Sequence, residues 1–237
     1  MEIKYFESYE KMSEKAAEIV AGEISSKENF VLGLPTGSTP LGMYAKLIEM
    51  NKAKAADFSK VTTFNLDEYY PINKSDEQSY YKFMFDNFFG SININPGNIN
   101  IPDGEAPDGD TEGEEYEKKI EKSGGIDLMV LGIGANGHIG FNEPESFLIP
   151  DTHIATLTED TIKANSRFFN STEEVPVKAL TMGMGSILKA KKILMLVSGK
   201  NKTEIFRKFL EAKIETRNPS SFLHLHRDVT VLSDIEI

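Results

Sequence analysis

Five short apolar runs rich in β-branched residues punctuate this chain: Phe30 to Leu34, Val61 to Leu66, Ile126 to Ile133, Ile193 to Val197 and Val229 to Leu232. They read as buried strands. Between them apolar residues recur at helical spacing, as in Met12, Ala16, Val20 and Ile24, then Leu41, Tyr44, Ala45 and Ile48, then Ile205, Phe206 and Phe209. Strands alternating with helices predict an α/β fold, an open, mostly parallel sheet with helices on both faces. With 237 residues, 40% of them hydrophobic, one large core is the simpler arrangement, so residues 1–237 are expected to form a single domain.

Composition then removes whole classes of function. The absence of cysteine excludes disulfides, thiol nucleophiles and cysteine-ligated zinc or iron–sulfur sites. A formal net charge of −11 disfavours nucleic acid and anionic membranes as partners and favours a small molecule. If that molecule is an anion, Arg and Lys side chains or helix N-termini must supply the local attraction. No apolar run is long enough to span a membrane, and the first residues lack the layout of a signal peptide, so a soluble, cytoplasmic protein is expected.

Two stretches break the alternation. Ile101 to Gly113, crowded with Pro, Gly and Asp, reads as a surface loop. Asn142 to Thr152 holds Pro144, Pro150 and outward-looking Phe147 and Leu148, directly after a Gly-rich turn, and has the character of an active-site lid.

In an open parallel sheet ligands bind beyond the carboxyl ends of the strands, and four such ends carry polar clusters. Leu34-Pro35-Thr36-Gly37-Ser38-Thr39-Pro40 turns into a helix at Pro40, so free amides and three hydroxyls could cradle a phosphate. Taken alone the turn is more simply an N-cap, and it lacks the lysine of a nucleotide P-loop. Asp67 and Glu68 end the second strand. One of them could abstract a proton next to a carbonyl or imine carbon, although an isolated acidic pair is more often a solvated turn or cap.

The third end, Gly132-Ile133-Gly134-Ala135-Asn136-Gly137-His138, continues through Asn142-Glu143-Pro144 and contains a literal G-x-G-x-x-G. A dinucleotide site would need a helix after the glycines and an acidic residue about 20 positions on at the end of the next strand, whereas here the glycines run into lid-like sequence. The glycines instead free the backbone to present His138, with Glu143 placed for a His–carboxylate pair; a structural histidine is the competing reading. The fourth end, Val197 to Lys202, starts a helix with two lysines, of which Lys202 is the better anion ligand. Arg167, beside two phenylalanines, suits bidentate phosphate binding and equally suits an ordinary surface position. The one H-x-H pair, His224 and His226, reads as a strand or helix edge, and no metal site is expected.

Taken together, Leu32 to Pro40, Phe64 to Tyr69, Gly132 to Pro144, Ala164 to Phe169 and Lys202 resemble the glucosamine-6-phosphate deaminase family over nearly the whole chain. The Asn142-Glu143-Pro144 ending separates this pattern from the related 6-phosphogluconolactonases. The resemblance implies a Rossmann-like fold and a cofactor-free conversion of glucosamine 6-phosphate to fructose 6-phosphate and ammonia. It implies that Asp67 is the base carrying a proton from C2 to C1 and that His138 opens the pyranose ring with Glu143 as its partner. It further implies that Thr36, Gly37, Ser38, Thr39, Arg167 and Lys202 hold the phosphate, under a lid of about residues 142–180. Asn136 stands where many members carry aspartate and is expected to hydrogen-bond the imidazole.

Some members are hexamers activated by N-acetylglucosamine 6-phosphate through basic residues at the end of the Asn142 to Thr152 stretch and a longer C-terminal tail. Here that segment is Asp151-Thr152-His153-Ile154-Ala155 and the chain stops at Ile237, so hyperbolic kinetics in a monomer or small homo-oligomer are expected. A lactonase-type hydrolase and a non-catalytic sugar-phosphate sensor are the rival readings. Asp67 and His138 together disfavour the sensor.

Overall fold

The computed structural model describes residues 1–166, 171 and 174–237. In chain order, β1 (Glu2–Tyr5) leads to α1 (Tyr9–Ser26), β2 (Val31–Leu34) to α2 (Leu41–Lys52), and β3 (Thr62–Asn65) almost directly to β4 (Asp67–Tyr69). Then follow α3 (Tyr80–Asn87), β5 (Ile99–Asn100), α4 (Gly109–Lys122), β6 (Leu128–Leu131), β7 (His153–Thr156), α5 (Glu159–Asn165), β8 (Lys178–Thr181), α6 (Met184–Leu188), β9 (Lys192–Val197), α7 (Thr203–Leu210) and β10 (Val229–Ser233).

Seven strands form a parallel sheet in the order β1-β10-β9-β6-β2-β3-β5. Its two faces follow from the two-residue period of a strand. Leu32, Leu34, Leu128, Val130, Leu194 and Leu196 pack with Met12, Ala16 and Val20 of α1 and with Tyr44 and Leu47 of α2. Val31, Met129, Leu131, Ile193, Met195 and Val197 face the other way, onto Tyr116 of α4 and Phe206 and Phe209 of α7. The expected Rossmann-like α/β architecture is therefore present. No helix among the described residues is long and apolar enough to cross a membrane.

Three features depart from the sequence reading. Helix α4 begins inside the stretch read as a loop, because Asp108 caps it: Asp108 Oδ1 accepts the Asp110 N–H at 3.1 Å and Oδ2 accepts the Thr111 hydroxyl at 2.8 Å. Leu148 is not outward like the 65%-exposed Phe147, but packs against the α4/α7 side of the core. A second, antiparallel sheet in the order β4-β8-β7 was not foreseen; its strands are short and partly polar, so their pattern is weak.

At the amino-terminal edge of the parallel sheet, buried Asp127 accepts the Val31 N–H at 2.8 Å, Lys27 Nζ at 2.5 Å and Lys191 Nζ at 2.7 Å. Burial alone would raise its proton affinity; the two ammonium groups and the amide outweigh it and hold the carboxyl below its usual range. A depressed pKa contributes stability above the unfolded-chain value that is lost as pH falls through the folded value. Both lysines are half-exposed, which screens them. Asp127→Asn is expected to lower stability at pH 7 by about 1–3 kcal/mol, with the difference closing in acid and turnover unchanged. Identical melting curves at pH 7 would remove this anchoring role.

Candidate active site

The strand order reverses between β2 and β6: the chain runs outward through β3 and β5, then returns to the other side of β2 and continues through β9 and β10. The loops leaving β2 and β6 therefore diverge, opening a crevice at their carboxyl ends. A cleft of about 1110 Å³ occupies this place, and the Thr36–Thr39 turn, Asp67, Asn136, His138 and Lys202 all line it. Four of the expected segments thus converge. Arg167 lies outside the described residues.

Of the two adjacent carboxylates, only Asp67 lines the cleft. Glu68 points away and closes the N-terminus of α3, accepting the amides of Tyr69 at 2.9 Å, Tyr80 at 2.8 Å and Tyr81 at 2.8 Å. Burial pushes Glu68 up to about 7 against the pull of those three donors. Asp67 is 6% exposed, and its Oδ1 has no hydrogen-bond partner among the described residues. Burial, with the neighbouring Glu68 charge adding to it, raises the Asp67 carboxyl to about 8. Gly140, at φ 60°, lets the backbone pass close by: a Cβ there would stand 2.9 Å from Thr181 Oγ1 and 3.3 Å from Asp67 Oδ2.

The Gly-rich turn after β6 closes on itself. The Gly134 N–H donates to His138 O at 2.9 Å and the Gly137 N–H to Gly134 O at 3.0 Å. The His138 ring lies on Gly134, where a Cβ would come within 2.3 Å of it. His138 Nδ1 is 3.5 Å from Glu143 Oε2, the pair that the spacing suggested. Glu143 is 4% exposed. Burial alone would raise its proton affinity, but the His138 ring, Thr161 and Asn136 outweigh it and hold the carboxyl below the ordinary range.

Asn136 departs from expectation. Its Nδ2 donates to Glu143 Oε2 at 2.8 Å and its Oδ1 accepts the His138 backbone N–H at 3.1 Å, so it orders the carboxylate and the turn rather than the imidazole. An aspartate could not make that donation, which explains why an amide fits here. Thr161, at the start of α5, donates to Glu143 Oε1. No local motif marks it.

The Thr36–Thr39 turn precedes α2, which begins at Leu41 with Pro40 one position earlier than anticipated. The amides of Thr36, Gly37, Ser38 and Thr39 donate to no group among the described residues. Tyr9 of α1 braces the turn from behind: its hydroxyl accepts the Gly42 N–H at 2.7 Å and lies 3.1 Å from the carbonyls of Ser38 and Thr39. Lys202, rather than Lys200, lines the cleft. Its turn is tied down by Asp234, whose Oδ2 accepts the Ser198 hydroxyl at 2.7 Å. Neither Tyr9 nor Asp234 carries a sequence signal, because both act from distant elements. His224 and His226 pair through Nε2 with the carbonyls of Phe209 and Ala190, each at 2.7 Å.

Residues 6–232 match the family described as glucosamine-6-phosphate isomerases/6-phosphogluconolactonase. A glucosamine-6-phosphate deaminase from a Thermoanaerobacter species is 58% identical over 229 residues, spanning 97% of this chain and 90% of its own length. One from Clostridium beijerinckii is 53% identical over 237 residues, spanning 100% and 98%. A monomeric glucosamine-6-phosphate deaminase of known structure superposes with a TM-score of 0.96 at 46% identity, over 98% of this chain and 97% of that one. A 6-phosphogluconolactonase from Thermotoga maritima shares the fold, with a TM-score of 0.79 at 21% identity over 98% of each chain. The chain belongs to the glucosamine-6-phosphate isomerase/6-phosphogluconolactonase family.

Proposed function

We propose that this protein converts glucosamine 6-phosphate and water to fructose 6-phosphate and ammonia, within amino-sugar catabolism in the cytoplasm. The observation that carries the reading is a buried aspartate with raised proton affinity lining the same cleft as His138, which is paired with Glu143, and a turn whose amides have no partner among the described residues. Such a set suits a proton shift in a phosphorylated sugar. The names and near-complete overlap of the deaminase relatives support the substrate.

In this reading the Thr36–Thr39 amides and hydroxyls, Lys202 and Arg167 hold the phosphate, and that remote binding positions C1 and C2. His138, with Glu143 stabilising its charged form, moves the proton that opens the pyranose ring. Asp67 then removes the C2 proton from the open-chain aldose, leaving an enolamine, and returns a proton to C1. The resulting iminium carbon at C2 takes up water and loses ammonia, so atoms balance without a redox partner. Residues 1–237 act as one unit and about 142–180 as its lid. The cluster Asp151 to Ala155 offers no lysine or arginine to an activating phosphate, so rate curves are hyperbolic in a monomer or small homo-oligomer. A sigmoidal curve relieved by N-acetylglucosamine 6-phosphate would refute that part.

The primary test is ammonia and fructose 6-phosphate release by wild type and Asp67→Asn without added metal or nucleotide. Stoichiometric products that fall by at least about a thousandfold in the variant are expected; a folded wild type that binds the sugar phosphate yet releases neither product would overturn the reading. Because the base must be ionised and its pKa is about 8, kcat/KM is expected to rise with pH through that value. A flat profile between pH 6 and 9 would contradict it. Stability should move oppositely. The raised folded-state pKa means that the proton held by Asp67 stabilises the fold fully below about pH 4 and that this contribution is lost as pH rises through about 8. Asp67→Asn lacks that loss, so its advantage over wild type should grow from pH 5 to pH 9, reaching on the order of a few kcal/mol, or about 5–10 °C. Parallel melting temperatures across that range would show that the carboxylate is not desolvated.

A further inference from the structure

Glu143 sits in a stretch without regular structure, and its two oxygens are held from different sides. Oε2 takes the Asn136 amide at 2.8 Å and faces His138 Nδ1, both from the turn after β6. Oε1 takes the hydroxyl of Thr161, which is 4% exposed on α5. Thr161 has one hydroxyl proton to give. Thr158, the N-cap of α5, donates its own hydroxyl to Thr161 Oγ1 at 3.2 Å and accepts the Thr161 N–H at 3.3 Å. With its acceptor side taken by Thr158, Thr161 has its proton directed at the carboxylate, and each bond in such a chain polarises the next.

From this geometry we infer that Thr161 is a positioning residue for the His138–Glu143 pair, which ties the seating of α5 to the charge and orientation of Glu143. The inference rests on the proposed deaminase reading for its kinetic consequence, but the contact itself does not. Three physical steps carry it. An ionised, buried carboxylate needs donors on both oxygens, and a lost donor favours its protonated form. A carboxylate fixed at Oε1 cannot rotate Oε2 away from the imidazole. Finally, the hydroxyl comes from α5, so a displaced α5 withdraws it and leaves the pair unset.

The experiment compares Thr161→Val, which keeps the shape and removes the donor, with Thr161→Ser, which keeps the donor, and uses Thr161→Ala in place of Val if Val lacks wild-type circular dichroism. Val is expected to lower kcat for glucosamine 6-phosphate about ten- to hundredfold with KM within about threefold, and Ser to restore it. In the unliganded proteins at fixed pH, the imidazole 15N resonances of His138 are expected to move in Val and to return in Ser. A Val variant with wild-type kcat and an unmoved His138 spectrum would overturn the inference, as would a Ser variant no better than Val. Should the wild type release no ammonia, the deaminase reading fails, while the His138 spectra still decide the coupling.

Discussion

Water-loving charge and a dry seam meet at Asp67, and much of the architecture is arranged around that conflict. The chain leaves the parallel sheet after Asn65 and starts the antiparallel sheet at Asp67, whose backbone pairs with Thr181. A residue at the junction of two sheets is covered from both sides, so its carboxyl loses hydration without gaining a cation among the described residues. In most proteins that is a defect. Here burial strengthens the base, and Asp67 lines an open cleft, which is the state the proposed proton carrier would need before substrate arrives. Glu68 takes the opposite course one residue later: the strand's alternation turns it away, and two helix-end amides and that of Tyr69 occupy it.

The second carboxylate of the site, Glu143, is buried as deeply and behaves differently because donors surround it. Thr161, Asn136 and the imidazole together outweigh desolvation. Two buried carboxyls beside the same glycine turn are thus separated in proton affinity by their partners, one high enough to exchange a proton near neutrality and one low enough to stay charged. The proposed phosphate end meets a third problem. A chain of net charge −11 repels an anion at long range, so attraction must be short-ranged and directional. Backbone amides at a braced turn provide that without adding mobile charge.

How much of this was readable from residues alone depended on the range of the interaction. The five β-branched runs and the helical spacings between them mark the parallel sheet, since burial on both faces leaves a strong pattern. The short strands β4, β7 and β8 carry polar residues such as Asp67, His153 and Lys178 and leave almost none. The convergence of Asp67, His138, Glu143 and Lys202 was readable because each follows a strand in a sheet whose carboxyl edge is the ligand edge. Thr161, Tyr9 and Asp234 were not, because a hydroxyl or carboxylate that supports another residue across the fold has no local signature. Asn136 was misassigned for a related reason: sequence shows that an amide is present, but only the turn geometry shows that its donor faces Glu143 and its acceptor the His138 backbone.

Asp127 and Asp67 form a natural control for one another. Both are buried aspartates flanking the same parallel sheet, one before β6 at its amino edge and one after β3 at its carboxyl edge. Asp127 meets two lysines and an amide and falls below the usual range; burial, with the Glu68 charge beside it, raises Asp67 to about 8. By linkage, the first gives stability that disappears in acid and the second gives stability that disappears in base. The fold is therefore held at the edge that has no chemistry to do and relaxed at the edge that does. Replacing Asp67 by a neutral amide should strengthen the fold and silence the site, whereas the same change at Asp127 should weaken the fold and leave the site intact. A carboxylate whose proton the proposed reaction uses gives a reason for Asp67 Oδ1 to stand without a partner among the described residues at that depth.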